Sequence, residues 1–386
     1  MLIERKLAAK VKYMGKKFPI VSLTGPRQSG KTTLLKNVFS SMPYVSLEDP
    51  DMRLFAENDP RAFLSQYQKG VIIDEAQHVP HLFSYIQTIS DSRNKTAQFV
   101  LSGSQNFLLN QKISQSLAGR AGILKLLPLS IEELKSAGQL KTDAFAHIHQ
   151  GFYPRLFDKK IDEGLFYSSY VNSYLSRDVR GLVNVGDLST FHKFLQLCAG
   201  RIGQLLNLSS LANDAGVSVN TIKSWLSVLE AGYIIFQVQP HHKNFRKRLV
   251  KTPKLYFWDT GLACYLLSIR DKKDLQNHFL KGGLFENFVM AEIGKYYFNE
   301  GIQPSLYFWR DKTGHELDAI IETGKTREVV EIKSSSTVNP DSFKGLKYWN
   351  ELSGHTDLNL IYTGKTKHKT QGINVLPWQN IHDILY

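Results

Sequence analysis

The residues best suited to catalysis lie in the stretch VSLTGPRQSGKTTLLKNVF, residues 21–39. An apolar run precedes Gly25, four residues separate Gly25 from Gly30, and Lys31 and Thr32 open a stretch with helical periodicity. Glycines at this spacing let backbone N–H groups surround a phosphate, and the lysine and threonine can hold phosphate oxygens and Mg²⁺. The pattern predicts a P-loop that binds ATP with Mg²⁺. The predicted contact residues are Gly25, Pro26, Arg27, Gln28, Ser29, Gly30, Lys31, Thr32 and Thr33.

A second motif ends the apolar stretch GVIIDEAQ with two acids, Asp74 and Glu75. Downstream of a P-loop, the first acid is suited to hold Mg²⁺ through water, and the second to polarise the attacking water. The next apolar run, FVLSGSQN, ends in polar residues where a contact to the γ-phosphate is expected, and Ser104 is the residue predicted for it. Thr32 and Asp74 are the predicted metal-binding residues, and Glu75 is the predicted catalytic residue.

Arg120, in SLAGRAG, is the arginine best suited to stabilise charge in the transition state of phosphoryl transfer. It could act within its own chain or reach the site of a neighbouring subunit in a homo-oligomer. A structural salt bridge is the alternative that the sequence leaves open.

The last third of the chain contains a second group of residues suited to catalysis, three acids and a lysine. Glu286 lies in a helical stretch, Asp318 ends GHELD, and Glu331 and Lys333 occupy the strand-like EVVEIKS. Because side chains alternate along a strand, Glu331 and Lys333 share a face and can share a site with Asp318. Converging carboxylates repel one another without a cation, so Mg²⁺ on Asp318 and Glu331 is expected, with Lys333 as counter-charge and activator of water.

The elements that must position these residues follow from periodicity. The stretches PIVSLTG, MPYVSLED, GVIIDEA and AQFVLSGS predict buried strands that alternate with helices, the pattern of a parallel sheet covered by helices. Helical periodicity dominates from residue 131, and a helix followed by strands indicates a small α/β domain at the end. The predicted fold is α/β, with a P-loop domain over residues 1–130, a helical and winged-helix region over 131–257, and an α/β domain over 258–386.

The middle region contains a helix-turn-helix pattern. In LSSLANDAGVSVNTIKSWLSVLEAGYI, helical spacing occurs on both sides of Gly216, and the following YIIFQVQ fits the strand of a wing. The outer face of the second helix would carry Asn220, Lys223, Ser224 and Ser227. Contact with DNA is one interpretation, and a lid or protein contact is the other.

Charge and composition limit the function classes. The net charge is +13, and a basic segment runs from His241 to Lys254, with Arg246, Lys247 and Arg248 at its centre. Such charge favours nucleic acid as a partner, DNA in particular, over a membrane, since it is not confined to an amphipathic helix. Two distant cysteines argue against structural zinc, and the charged N-terminus and lack of long apolar runs predict a cytosolic protein.

Taken together, the motifs TGPRQSGKTT, IIDEAQ, LSGSQ and SLAGR resemble those of bacterial and archaeal AAA-like ATPases that carry a C-terminal domain of unassigned function. The likeness extends to PKLYFWDTGLACYLL and LFENFVMAEI, and it implies an ATP-dependent P-loop protein. The C-terminal acids resemble the PD-(D/E)xK nuclease fold, which implies catalytic roles for Asp318, Glu331 and Lys333 and an accessory role for Glu286. Leu317 stands where that fold has a proline.

Two functions fit these patterns. One is an ATPase coupled to DNA binding, with metal-dependent DNA cleavage by the C-terminal domain. The other is a nucleotide-switched adaptor in which the C-terminal residues only bind, or have come together by chance. Cleavage of DNA distinguishes the two.

Overall fold

The computed structural model describes residues 3–93, 95–104, 117–174, 188–241, 250–324 and 326–385. The chain forms two compact units. The first comprises Met1–Leu129, Ala231–Tyr233 and Phe298–Ile302. The second comprises Ser130–Glu230, Ile234–Tyr297 and Gln303–Tyr386. The longest segment of the first unit ends at Leu129, and residue 257 lies inside the second unit. The domain boundaries expected at residues 130 and 257 stay predictions.

The first unit is built on a parallel sheet. The strands are β1 (Ile20–Thr24), β2 (Tyr44–Ser46), β3 (Val71–Asp74), β4 (Phe99–Gly103) and β5 (Ala121–Lys125). The strand order is β2-β3-β4-β1-β5, and every neighbouring pair is parallel. The helices are α1 (Ala8–Lys17), α2 (Lys31–Val38), α3 (Pro50–Asn58), α4 (Pro60–Ser65) and α5 (Leu82–Arg93). Because the strands are parallel, the C-terminal ends of β1, β3 and β4 meet at one edge of the sheet.

Apolar side chains cover both faces of this sheet. Ile20 and Ile73 belong to one buried cluster, whereas their chain neighbours Val21 and Ile72 belong to another. Alternation along a strand sends successive side chains to opposite faces, so continuous apolar runs are needed where both faces are buried. The four strands predicted from those runs are confirmed, as is the predicted fold class. The edge strand β5 was not predicted.

Local capping fixes where several helices start. The side chain of Asp49 accepts hydrogen bonds from backbone N–H groups at the start of α3, and Asp59 does the same for α4; a proline follows each of these caps. Such caps satisfy N–H groups that have no partner within the helix.

The second unit combines helices with a mixed sheet. Its helices before the sheet are α6 (Ile131–Ser136), α7 (Ala144–Gln150), α8 (Pro154–Asp158), α9 (Glu163–Tyr174), α10 (Leu188–Ala199), α11 (Leu208–Ala215) and α12 (Val219–Ala231). The later helices are α13 (Thr260–Leu266), α14 (Lys272–Asn277), α15 (Lys281–Asn299) and α16 (Lys344–Ser353). Gly216 ends α11 with a φ of 75°, so the tight turn before α12 occurs where the sequence predicts it.

Within the described residues, the sheet of the second unit has eight strands. They are β6 (Ile235–Pro240), β7 (Lys254–Phe257), β8 (Leu306–Arg310), β9 (Glu316–Thr323), β10 (Thr326–Lys333), β11 (Leu358–Tyr362), β12 (His368–Thr370) and β13 (Ile373–Pro377). Their order in the sheet is β12-β13-β11-β10-β9-β8-β6-β7. β6 and β7 form an antiparallel pair, and β6 also pairs with β8. One sheet therefore continues across residue 257, from the strands after α12 into the C-terminal region.

His147 in α7 gives the second unit a dependence on pH. It is fully buried, stacks on Phe152, and its Nε2 accepts the backbone N–H of Lys141 at 2.7 Å. Burial, reinforced by the charge of Lys141, lowers the pKa of His147 to about 4. The unfolded chain, with an ordinary histidine pKa near 6.5, binds this proton first, so stability is present above that pH and is lost as the pH falls toward 4.

We expect the free energy of unfolding to fall by up to about 3 kcal/mol between pH 7 and pH 4 through this one residue. Denaturant unfolding followed across that range, with His147→Gln as the matched control, measures the effect. Glutamine keeps an acceptor for Lys141 but does not titrate, so the stability difference between wild type and variant should shrink on acidification. A constant difference would contradict the assignment.

Candidate functional sites

The loop between β1 and α2 has the conformation that its glycines allow. Gly25 has a φ of 155°, and a Cβ there would lie 2.1 Å from the carbonyl oxygen of Leu126. Gly30 has a φ of 93° and precedes the first turn of α2. The loop therefore bends tightly into a helix N-terminus, where backbone N–H groups without helical partners face outward.

The side chains of this loop suit a phosphate ligand. Lys31 is buried, and its Nζ donates to the carbonyl oxygens of Gly25 and Pro26, both at 2.9 Å. The Ser29 hydroxyl is buried, and among the described residues it has no hydrogen-bond partner. A phosphate oxygen would satisfy this hydroxyl and give the ammonium a stronger acceptor than a neutral carbonyl.

Two residues that the sequence motifs did not indicate support the loop. The buried guanidinium of Arg5 donates to the carbonyl oxygens of Ser29, at 2.6 Å, and Leu127, at 2.7 Å. The Tyr233 hydroxyl lies 2.6 Å from the hydroxyl of Thr24, the last residue of β1. Both contacts join residues far apart in sequence, so no local pattern could have revealed them.

Asp74 and Thr32 are in direct contact, as expected for a Mg²⁺ site. The Thr32 hydroxyl donates to Asp74 Oδ2 at 2.7 Å, and the Ser102 hydroxyl donates to Oδ1 at 2.5 Å. Tyr44 also donates to Oδ2, at 2.9 Å. Burial, followed by the charge of Asp74, raises the pKa of Tyr44 to about 12, so its hydroxyl keeps its proton. These donors fix the carboxylate at the end of β3, and the Thr32 hydroxyl is suited to bind the ion directly.

Glu75 is held by hydrogen bonds at the neighbouring strand end. It has a left-handed backbone, with φ 52° and ψ 43°. Its Oε2 accepts the Ser104 hydroxyl at 3.1 Å, the Ser104 backbone N–H at 3.3 Å, and the amide of Gln77. Ser104, expected to contact the γ-phosphate, contacts the expected catalytic glutamate in this structure, and its phosphate contact stays a prediction.

We therefore expect Ser104→Ala to lower kcat for ATP hydrolysis by about 10-fold, since one hydrogen bond to a charged group contributes roughly 1.5–3 kcal/mol. The KM for ATP should change little because Ser104 would act through Glu75. Steady-state kinetics measure both constants, and Ser104→Thr, which keeps a hydroxyl, should retain most of the activity. A large rise in KM with kcat unchanged would instead indicate direct contact with the nucleotide.

A separate charged pocket occurs in the second unit. Its volume is about 600 Å³, and it is lined by Gly203, Gln204, Leu205, Lys254, Glu286, Arg310, Glu316, Asp318, Glu331 and Lys333. All four C-terminal residues singled out from the sequence therefore line one pocket. Ala319 pairs with Val330 across β9 and β10, which places Asp318 beside Glu331. The backbone N–H of Ile332 donates to Asp318 Oδ2 at 2.7 Å.

Cations other than a metal already balance most of the charge in this pocket. Lys254 Nζ lies 2.8 Å from Glu286 and 2.6 Å from Glu316, and Arg310 lies 3.2 Å from Glu316. Lys333 Nζ lies 2.5 Å from Glu331 Oε1. Among the described residues that line the pocket, four carboxylates thus face three cations. The charge argument that predicted a metal here did not include Lys254 and Arg310, which pair with Glu316, so the metal on Asp318 and Glu331 stays a prediction.

Glu331 nevertheless has an oxygen available for a ligand. Its side chain is buried, and Oε2 has no hydrogen-bond partner within the part of the chain that the structure describes. Burial and then the charge of Asp318 raise the pKa of Glu331 to about 8. Burial raises the pKa of Glu286 to about 7 despite the opposing charge of Lys254.

The fit to a metal ion is limited to two carboxylates. No group of three or more His, Cys, Asp or Glu side chains among the described residues is arranged to hold a metal. Mg²⁺ is often bound by one or two carboxylates and several waters, so Asp318 and Glu331 suffice as protein ligands.

Sequence families match along most of the chain. Residues 17–135 match a family described as AAA domain. Residues 141–273 and 281–381 match two domains of unknown function, DUF8612 and DUF4143. An uncharacterized protein of Mycobacterium tuberculosis is 32% identical over 342 residues, which cover 87% of this chain and 75% of that protein. The chain belongs to the same AAA-like P-loop ATPase family.

A more distant relative is an uncharacterized protein of Haemophilus influenzae, 24% identical over 62% of this chain and 67% of that protein. Among solved structures, the Walker-type ATPase PABY2304 of Pyrococcus abyssi covers 69% of this chain and 96% of its own, with 15% identity and a TM-score of 0.44. Domain III of the Thermotoga maritima replication initiation protein DnaA covers 54% and 87%, with 18% identity and a TM-score of 0.28. Both scores are below 0.5, so neither structure identifies the activity of this AAA-like protein.

Arg120 of this AAA-like protein forms a bidentate ion pair. Its Nε lies 2.5 Å from Asp91 Oδ1 and its Nη2 lies 2.9 Å from Oδ2, which also lowers the pKa of Asp91. Nη1 donates to the carbonyl oxygen of Ala118 at 3.3 Å. In this structure Arg120 thus takes the salt bridge that the sequence left open as an alternative. A role at the nucleotide of a neighbouring subunit stays a prediction.

Among the residues expected to contact DNA, those on α12 are exposed and Lys254 is buried. Asn220, Lys223, Ser224 and Ser227 on α12 are all exposed. Lys243, Arg246, Lys247 and Arg248 lie outside the described residues. Lys254, the last residue of the basic segment, is buried between Glu286 and Glu316. Its interpretation as a surface phosphate contact was wrong, because its partners come from elements that follow it in sequence.

Within the described ranges, no helix has both the length and the hydropathy that crossing a membrane requires.

Proposed function

We propose that this AAA-like protein hydrolyses ATP and acts on nucleic acid, and that its second unit cleaves phosphodiesters with a divalent metal. The observation that carries the proposal is the pocket of the second unit, where Asp318, Glu331 and Lys333 line one cavity and Glu331 has a buried oxygen that is unpaired among the described residues. A purely structural ion-pair network would be expected to satisfy that oxygen.

The roles in ATP hydrolysis follow from the first unit. When bound, Mg²⁺ and ATP supply the reacting phosphate and the cation that neutralises its charge. Lys31 would exchange its loop carbonyls for phosphate oxygens, the Thr32 hydroxyl would hold the metal, and Asp74 would orient the waters around it. Glu75, positioned by Ser104, polarises the attacking water. This division of roles is supported by the hydrogen bonds at the ends of β3 and β4, where Ser102 contacts Asp74 and Ser104 contacts Glu75.

The roles in phosphodiester cleavage follow from the pocket. Asp318 and Glu331 would hold the metal, which would supply positive charge beside the scissile phosphate and a bound water. Lys333 leaves Glu331 to orient or activate that water beside the scissile phosphate, and Glu286 tunes the charge from a distance. The resemblance to the PD-(D/E)xK fold supports these assignments.

The experiment that tests this function is cleavage of a DNA panel. Purified wild-type protein is incubated with duplex, branched and single-stranded DNA, with Mg²⁺ or Mn²⁺, and with or without ATP. Cleavage that requires the metal supports the proposal. An absence of cleavage on every substrate with both metals would contradict it.

Contact with DNA is supported by charge and by the order of elements. The pair α11 and α12, joined by a tight turn, is followed by the antiparallel strands β6 and β7, as in a winged helix. Leu205, before the first helix of the pair, also forms an isolated antiparallel β-bridge with Lys254 of β7.

We expect the variant Arg246→Gln, Lys247→Gln, Arg248→Gln to weaken DNA binding and to flatten its salt dependence by about 0.9 for each phosphate that these residues no longer neutralise. Fluorescence anisotropy at several salt concentrations gives the slope. A control that replaces the exposed lysines 12, 16 and 17 of α1 by glutamine removes the same charge elsewhere. If the salt dependence of DNA binding had the same slope in both variants, the loss would reflect net charge alone. The surface that contacts DNA would then lie outside the segment that contains Arg246, Lys247 and Arg248.

The second candidate is a nucleotide-switched adaptor that binds DNA or protein without cutting. Lys254 favours it, since this buried cation pairs with Glu286 and Glu316 and compensates much of the pocket without any metal. The cleavage experiment separates the two functions.

A further inference from the structure

Lys254 is a fixed part of the pocket. Its strand, β7, pairs with β6 on one side, where Val238 is opposite Lys254. On the other side, Leu205 bridges to Lys254, and the backbone N–H of Leu255 donates to the carbonyl oxygen of Gln204 at 3.2 Å. Backbone pairing on both sides prevents this strand from sliding, so the ammonium is delivered to one position.

The surroundings of Lys254 show how firmly its charge is engaged. The residue is only 3% exposed, and its Nζ contacts Glu286 Oε1 at 2.8 Å and Glu316 Oε1 at 2.6 Å. The Tyr256 hydroxyl donates to the same oxygen of Glu286 at 2.5 Å. A buried charge that loses its partners carries a large desolvation penalty, so Lys254 keeps both carboxylates occupied.

The remaining two carboxylates are arranged differently. Asp318 receives one backbone N–H, from Ile332, and Glu331 is 7% exposed with Oε2 unpaired among the described residues. An unpaired oxygen this deeply buried requires a proton donor or a cation. Glu331 therefore has a buried oxygen open to a cation. In contrast, Lys254 and Tyr256 already share Oε1 of Glu286, and Glu316 is paired with both Lys254 and Arg310.

We propose that Lys254 takes the place of a second metal ion: the pocket accepts a single divalent cation on Asp318 and Glu331, while Lys254 withholds Glu286 and Glu316 from coordination. This inference rests on the metal-dependent function proposed above. It adds that the pocket binds one metal ion and that Lys254 determines that number. Phosphodiester hydrolysis in this pocket then depends on one metal, with the Lys254 ammonium supplying fixed positive charge where a two-metal site has its second ion.

The test is the amount of Mn²⁺ bound by the full-length, nucleotide-free protein, followed by the electron paramagnetic resonance signal of free Mn²⁺. Asp318→Asn gives the baseline without the pocket ion. Wild type should bind one more Mn²⁺ per chain than Asp318→Asn does. Lys254→Met, which keeps the length of the buried side chain but not its charge, should bind two, with the spectrum of a coupled Mn²⁺ pair.

Glu316→Gln provides the comparison that does not depend on folding of the Lys254 variant. Because Glu316 is bound to Lys254 and not to the metal, this variant should still bind one Mn²⁺. The proposal is overturned if wild type binds two ions or none above the baseline, if folded Lys254→Met still binds one, or if Glu316→Gln loses the ion. Failure of the proposed nuclease function is a different result: one bound Mn²⁺ with no cleavage of DNA.

Discussion

Lys31→Ala should abolish detectable ATP binding, with the Kd raised by at least about 100-fold, because charge-assisted bonds from the ammonium to phosphate contribute roughly 3 kcal/mol. In the structure the Lys31 ammonium is held by the carbonyl oxygens of Gly25 and Pro26, at the position where the loop would enclose a phosphate. Glu75→Gln should bind ATP normally, yet its hydrolysis should fall about 100-fold or more, since it loses the carboxylate that polarises water.

Calorimetric titration with ATP and a phosphate-release assay measure these two effects separately. Lys12→Ala, which removes an exposed lysine from α1, is the control and should change neither. If both variants turned over ATP at the wild-type rate, the assignment of the nucleotide site would have to be abandoned.

Asp318→Asn should eliminate metal-dependent DNA cleavage, with a loss of about 1,000-fold or more, because the metal contributes several kcal/mol of transition-state stabilisation. Lys333→Ala should lose cleavage by about 100-fold or more while it still binds Mn²⁺, since its ammonium would act on water and not on the metal. ATP hydrolysis should largely survive in both, because Asp318 and Lys333 belong to the second unit and the P-loop to the first.

The matched controls are Asp341→Asn and Lys344→Ala. These two residues form an exposed ion pair at 2.9 Å, with side chains 73% and 77% exposed, and neither lines the pocket. Cleavage should be unchanged in both. Wild-type protein that cuts no DNA with either metal, and binds no metal that Asp318→Asn removes, would leave the adaptor as the remaining function.

The P-loop region was the most predictable part of the chain. Its signals are local: apolar runs for β1, β3 and β4, glycines where the backbone must bend, and two acids at the end of a buried strand, Asp74 as its last residue and Glu75 directly after it. Side chains at the ends of neighbouring parallel strands converge once the strand order is known. β5 was missed because it is only partly buried, whereas β1, β3 and β4 are buried along their whole length, so β5 has no continuous apolar run to indicate it.

The support of that region was not predictable. Arg5 binds the carbonyl oxygen of Ser29, and Tyr44 donates to Asp74, but neither belongs to a motif. An arginine in a charged N-terminal segment is expected to be exposed at the surface, whereas Arg5 is buried. Its burial depends on which carbonyl groups the folded chain leaves without partners.

The sequence by itself determined the α/β class, the P-loop with its two acids, and the set Glu286, Asp318, Glu331 and Lys333, because periodicity and strand alternation act over short distances. Only the tertiary structure decided the charge of the pocket that these four residues line. Lys254 lies 32 residues from Glu286 in the chain, yet their side chains are 2.8 Å apart. Whether a lysine faces solvent or neutralises a buried acid depends on strand pairing between distant segments, and electrostatic energies at such short range cannot be read from sequence order.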